Sequence, residues 1–400
     1  MVDICFYFQV HQPFRLRHYT VFDIGNENYF NEQKNQEVMK KVAQKCYLPA
    51  NQRILNLINK YPGKFKVSYS ITGTALEQFE QYAPEVLDSF KALAATKQVE
   101  FLSETYYHSL AFLYSKEEFK HQVEMHQKKI WDLFKYKPQV FRNTELIYNN
   151  ELAYHISQLG YKGIIAEGVP HILGWRSPNY VYKAPNAKIN ILLKNYQLSD
   201  DIAFRFGEKS WSEFPLTAPK FAHWVNAING DGYLVNLFMD YETFGEHQWE
   251  DKGIFNFVEH LPEEIFKTNN GFILPSEAIK LQPVGEFDAH NPISWADIER
   301  DLSAWTGNMM QQDALRKIYE IEQEVKLTGN APLIEKWRKL QTSDHFYYMC
   351  TKWFADGDVH KYFNPFDSPY DAFINFMNAL NDIKIRIKEA KIPALQKQVK

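Results

Sequence analysis

Cysteine is scarce in this 400-residue chain: Cys5, Cys46 and Cys350 are the three present, odd in number and widely spaced. That argues against a disulfide framework and suits a reducing compartment. No apolar run approaches the roughly 18 residues of a membrane span. The opening MVDICFYFQVHQP has an acid at position 3 and neither a basic leader nor a small-residue cleavage site, so it reads as a strand. A cytoplasmic protein without a membrane partner is expected. Excess positive charge is missing too. A net charge of -4 leaves no basic footprint, and nucleic acid is not an expected partner. The 13 histidines are scattered, and His121 and His126 stand five apart on a helical stretch without sharing a face. No metal site and no cofactor are expected. Internal repeats, low-complexity tracts and linkers are likewise absent.

Aromatic residues are abundant, with 24 Tyr, 30 Phe and 9 Trp. Such rings fill large cores, and their faces also suit the apolar faces of sugars. Over the first 250 residues, short apolar runs alternate with helical stretches, the pattern of βα units around a parallel sheet. DICFYFQVH, KFKVSYSIT, VEFLSETYY, QVFRNTELIY, YKGIIAEGV, INILLKNYQ and YLVNLFMDYE are the strand candidates. Between them, SKEEFKHQVEMHQKKIWDLF opens with Ser115 and Glu118 spaced as a capping box, and Phe119, Val123, Ile130 and Phe134 share one helical face. From about Asn291 the strand signals stop, and SWADIERDLSAW, DALRKIYEIEQEV, LIEKWRKLQTSDHFYYM and SPYDAFINFMNALNDIKIRIKEA read as helices. The expected fold is α/β: an incomplete TIM-type (β/α)7 barrel over residues 1–290, with a helical C-terminal domain over 291–400 packed on it.

The stretch FMDYETFGEH sets three carboxylates directly behind an apolar strand, where an unpaired buried charge is costly. Side chains alternate along a strand. In YLVNLFMDYE, Tyr233, Val235, Leu237 and Met239 take the outer face, and Leu234, Asn236, Phe238, Asp240 and Glu242 the inner one. The first strand repeats the pattern, with Ile4, Phe6, Phe8 and Val10 outward and Asp3, Cys5, Tyr7, Gln9 and His11 inward. In the fourth, Phe141, Asn143 and Glu145 share a face. Polar strand ends can simply emerge into solvent. Three inward rows that all turn polar at the C-terminal end, where barrel enzymes carry their sites, point instead to chemistry. Two carboxylates in an aromatic pocket suit glycosidic cleavage, one ionised and one protonated. Spacing alone does not pair Glu145 with Asp240.

These residues resemble the glycoside hydrolase family 57 group of α-amylases and 4-α-glucanotransferases, in five motifs that occur in order over most of the chain. HQPF at His11–Phe14 looks like the first motif, QVEFLSETYYH around Glu100 the second, FRNTELIY the third and MDYETFGEH the fourth, with SWADIERDLSAWTGN in the place of the fifth. The resemblance implies a (β/α)7 barrel with a helical C-terminal region. It also implies a retaining glycoside hydrolase on α-1,4-glucans, with Glu145 as nucleophile and Asp240 as acid/base. Gln9 replaces the first His of the usual His-x-His, and Asn143 stands where the third motif often carries Trp. Both departures put substrate choice in doubt.

His11, Gln12, Glu100, Glu242, Trp175, Trp295, Asp301 and Trp305 are the further substrate-binding candidates. Bland alternatives stand beside them: a structural role for His11, an ion pair for Glu242 and core packing for the Trp residues, while Glu246 and His247 read as solvated or loop-fixing. Asp200, Asp201 and Arg205, after the sixth strand, read as holding an internal Arg–Asp pair that shapes the loop. An α-glucan or maltooligosaccharide is the expected partner. The 4-α-glucanotransferase differs only in whether water or a sugar hydroxyl takes the glycosyl group, and that alternative stays open, as does oligomeric state. A metal-dependent polysaccharide deacetylase and a non-catalytic glucan-binding protein are the remoter readings.

Overall fold

In the computed structural model, residues 1–352 and 364–398 are described, the last eight of these by backbone alone. Among them nine strands form one sheet. These are β1 (Asp3–Val10), β2 (Val67–Ile71), β3 (Val99–Phe101), β4 (Val140–Arg142), β5 (Gly163–Glu167), β6 (Val181–Lys183), β7 (Asn190–Lys194), β8 (Leu234–Asp240) and β9 (Gly271–Phe272). Seven run parallel in the order β3-β2-β1-β8-β7-β5-β4, while β6 pairs antiparallel with β7 and β9 adds to the start of β1. Past the end of β3, the Ser103 N–H donates to Val140 O at 3.1 Å and Arg142 N–H to Ser103 O at 2.8 Å. This bridge ties the two outer strands together, so the sheet curves into a (β/α)7 barrel.

Alternation decides the two faces of the long strands. Ile4, Phe6, Phe8 and Val10 of β1 and Val235, Leu237 and Met239 of β8 pack under the surrounding helices, while Cys5, Tyr7, Leu234 and Phe238 fill the barrel interior. The fourth strand departs from its expected pattern. Phe141 lies in the outer layer, its ring 5.9 Å from that of Phe119, and Arg142 faces inward, fully buried. The chain leaves the strand after Arg142. Asn143 and Glu145 therefore do not continue a row begun by Phe141.

The helix Lys116–Phe134 starts at Ser115, whose hydroxyl accepts the Glu118 N–H at 3.1 Å. The reciprocal half of the expected capping box is missing. Glu118 turns its buried carboxylate to Arg338 Nε at 2.7 Å and Lys326 Nζ at 2.9 Å, because a buried charge gains more from two cations than from one backbone N–H.

C-terminal helices share a continuous apolar core with the barrel: Trp337, Phe376, Leu380 and Ile383 belong to the same cluster as Phe141, Ile164 and Ile191. The stretch 294–305, expected to be a helix, is helical only from Ser303. Tertiary bonds replace the helical ladder there. The Ser294 N–H reaches Arg300 O at 3.0 Å and the Trp295 N–H reaches Glu145 O at 3.2 Å, while Asp297 and Arg300 adopt left-handed φ values of 54° and 51°. Cys5, Cys46 and Cys350 are free and buried. No helix among the described residues is long and apolar enough to cross a membrane.

Candidate active site

At the C-terminal ends of the strands opens a cleft of about 1200 Å³, open solvent at its mouth included. Register builds one wall. Gln9 pairs with Asp240, so the ends of β1 and β8 lie side by side. Asp240 is the last residue of β8 and half-buried. Beyond it the chain turns through Tyr241–Thr243, which buries Glu242. Glu242 accepts from the Tyr47 hydroxyl and from Gln12 Nε2 at 3.4 Å. Burial, reinforced by the charge of Asp240, pushes the Glu242 carboxyl up to about 8. It carries its proton at neutral pH, and two like charges are not buried together.

Glu145 arrives by a different route. It and Leu146 take left-handed backbone conformations, φ 57° and 51°, in the short turn after β4. Such conformations are costly for residues with a Cβ and persist where the surroundings over-determine them. Here the surroundings include three donors to one carboxylate. Ser343 Oγ donates to Oε1 at 2.9 Å, Trp295 Nε1–H donates to Oε2 at 2.9 Å, and His108 Nε2 lies 3.3 Å from Oε1. Each stabilises negative charge on Glu145. The Trp295 ring stands between two cations, with Arg142 Cζ 5.0 Å and Lys194 Nζ 5.6 Å from its centroid.

Behind this carboxylate sits a buried polar network. His108 Nδ1 is 2.9 Å from Glu104 Oε2, and Glu104 also accepts from Ser70 and from Gln9 Nε2 at 3.0 Å. Burial alone would raise the Glu104 carboxyl, but the hydrogen bond and charge of His108, with the charge of Arg142, bring it down to about 2. Burial would likewise lower His108; its bonds to Glu104 and Glu145 outweigh that and lift it to about 9. The His11 ring stacks on His108 at 4.0 Å and binds Thr72 Oγ1 at 3.0 Å and Asp344 Oδ2 at 2.9 Å. Burial and the His108 charge hold His11 below the ordinary histidine range, against the pull of Asp344. Along another wall, Lys194 binds Asp200 at 3.0 Å, and Arg300 binds Glu167 at 2.9 Å. Of the two acids considered for the loop-shaping pair, Asp201 binds Arg205 at 2.6 Å, while Asp200 turns to Lys194.

Of the residues singled out from sequence, Glu145, Asp240, His11, Gln12, Glu242 and Trp295 line one cleft. Four others do not. Glu100 is the middle residue of β3, too early in the strand to reach the mouth; it is fully buried and accepts the Ser276 N–H at 2.9 Å. Trp175 follows the short helix Pro170–Leu173 and is 95% exposed, outside the cleft. Asp301 uses its carboxylate to hold the N–H and hydroxyl of Ser303, fixing the start of a helix. Trp305 is buried in the core of the helical region, its ring 6.2 Å from that of Tyr347. Sequence reasoning missed Glu104, His108, Ser343 and Asp344. The first two lie inside the SETYYH stretch, and an acid and a His four apart were the available signal.

A parallel barrel with carboxylates gathered at the C-terminal mouth defines a glycosidase-type enzyme. The comparisons fix the family: residues 5–293 match the model described as glycosyl hydrolase family 57, and the chain belongs to that family. A Methanocaldococcus jannaschii protein named "Putative alpha-amylase" is 46% identical over 402 residues, spanning 96% of this chain and 85% of that protein. Among solved structures, the 4-alpha-glucanotransferase of Thermococcus litoralis superposes with a TM-score of 0.67 at 16% identity, over 94% of this chain. The present chain covers only 59% of that enzyme's length. The family 57-type branching enzyme of Pyrococcus horikoshii gives a TM-score of 0.66 at 13% identity, over 97% of this chain and 88% of its own. These two likenesses establish the barrel fold.

Proposed function

We propose that the protein is a retaining glycoside hydrolase acting on α-1,4-glucans. One observation carries the reading: a carboxylate held by three donors, Glu145, lines the same cleft as the half-buried Asp240. In the first step a Glu145 oxygen attacks the anomeric carbon and the glycosidic C–O bond breaks. Its electron pair goes to the leaving oxygen, which takes the proton of Asp240, the form this carboxyl adopts once the bound sugar has displaced water from it. In the second, Asp240 removes a proton from water as the water oxygen attacks that carbon, and the ester bond returns its electrons to Glu145. In this reading His11, Gln12, Glu242 and Trp295, which line the cleft, hold the sugar at this point.

Product analysis on maltoheptaose tests the reading, with Glu145→Gln and Asp240→Asn beside the wild type. Shorter products alone, lost in both variants, are expected. A ladder of longer and shorter sugars would reassign the protein as a 4-α-glucanotransferase with the same two residues. Turnover that survives in Glu145→Gln overturns the assignment.

A further inference from the structure

Glu104 and His108 belong to no step above, yet both are buried, with His108 facing Glu145 and Glu104 facing the far nitrogen of His108. We propose that Glu104 and His108 form a positioning dyad for Glu145, in which a fixed imidazolium holds one carboxylate oxygen and stabilises the charge that returns to it when the glycosyl-enzyme breaks down. The inference rests on the reading of Glu145 as nucleophile.

The geometry runs in one line. Glu104 is anchored by Ser70 and Gln9, and Gln9 in turn accepts the Tyr7 hydroxyl at 2.6 Å. Through the 2.9 Å contact Glu104 fixes His108 Nδ1, which leaves Nε2 facing Glu145 Oε1 at 3.3 Å. The His108 carbonyl accepts the Ser343 N–H at 2.9 Å, so the residue whose hydroxyl also binds Glu145 is held by the backbone of the same histidine. His108 itself has a left-handed φ of 50°. The charged or titratable groups that face its ring are Glu104, Glu145, Arg142, with Nη1 at 3.4 Å, and the stacked His11, backed by Asp344.

Charge explains why two residues are needed. An isolated imidazolium beside Glu145 would make the carboxylate a reluctant nucleophile. Paired with ionised Glu104, the dyad is neutral overall and still presents a directed N–H. Such a donor is in place before charge develops on Glu145, so no reorganisation accompanies ester cleavage.

α-Maltosyl fluoride isolates this role, because fluoride departs without a proton and formation of the glycosyl-enzyme no longer needs Asp240 as an acid. In wild type the rate should fall on an alkaline limb near pH 9, where His108 loses its proton. His108→Asn should lower kcat by ~10–100-fold, the range for a hydrogen bond to a charged group, and remove the limb. Glu104→Gln retains the histidine and should move the limb down toward the ordinary histidine value of about 6.5. A limb unmoved in both folded variants overturns the dyad while leaving Glu145 in place; turnover by Glu145→Gln overturns the underlying reading instead. Titration of the histidine rings by NMR needs no turnover: a His108 ring still doubly protonated at pH 8 supports the dyad, and ordinary titration near 6.5 overturns it even if an exchange variant does not fold.

Discussion

Trp295 holds Glu145 twice: its indole N–H donates to Oε2 at 2.9 Å and its backbone N–H to the Glu145 carbonyl at 3.2 Å. The two residues are 150 positions apart, one on the turn after β4 and the other on the irregular segment that precedes the C-terminal helices. Trp295→Phe keeps a ring between Arg142 and Lys194 and deletes only the side-chain donor. A fall in kcat of ~10–100-fold with little change in Tm is expected. Trp305→Phe is the control. Its ring lies in the helical core, so it should shift Tm and spare kcat; steady-state rates beside calorimetry separate the two.

Glu242 carries its proton up to about pH 8, so glutamine is a close copy of its neutral form. Glu242→Gln should fold like the wild type and retain activity at pH 6. Glu242→Ala removes the acceptor of the buried Tyr47 hydroxyl and should cost ~1–3 kcal/mol. Urea unfolding at pH 6 checks both, and a Glu242→Gln variant as unstable as the alanine one would contradict the protonated state.

Glu100 sits buried in the lower barrel, and burial lifts its carboxyl to about 7, against the opposing Ser276 N–H. Raised above the unfolded value near 4.3, this group favours folding while protonated; that contribution is complete below about pH 4 and is lost as pH rises through 7. Glu100→Gln should therefore match wild type at pH 5 and exceed it at pH 9 by on the order of 2–3 kcal/mol. Denaturant titrations at the two pH values give the difference, and kcat should be unaffected because Glu100 does not line the cleft.

Glu118 shows the opposite sign. Burial opposes its ionised form, but the hydrogen bonds and charges of Arg338 and Lys326 hold the carboxyl below its usual range. Its contribution is present above about pH 4.3 and disappears as pH falls through the folded value. Arg338→Met leaves a buried carboxylate short of one cation and should cost on the order of 3 kcal/mol at pH 7. The gap in Tm between variant and wild type should narrow below pH 4.

How far the sequence could be read depended on strand length. β1 and β8 are eight and seven residues long, enough for alternation to sort the strand side chains to their faces and to place Asp240 at the mouth. Tyr233, one residue before β8, packs with the interior cluster and not on the expected outer face, and Glu242 is set by the turn after the strand. β3 and β4 have three residues each, too few for a period to show. Glu145 is legible only through its motif, since a left-handed turn, which alternation does not foresee, swings it into the cleft. Glu100 lies away from the cleft for the related reason that β3 ends at Phe101, and the acid that joins the network behind Glu145 comes later, at Glu104. Ser343 and Asp344 have no local signal at all: they enter from a short helix some 200 residues downstream of Glu145, and only tertiary packing brings them to the barrel.

The family match ends at residue 293, two positions before Trp295. Trp295, Asp297, Asp344, Tyr347 and Tyr348 all line the cleft, and Ser343 binds Glu145 from the same side. The catalytic unit is thus not a module that could be cut out at the end of the barrel. The residues after position 293, about a quarter of the chain, line one side of the cleft and also hold the Glu145 carboxylate, so a substitution there reaches the wall and the carboxylate together.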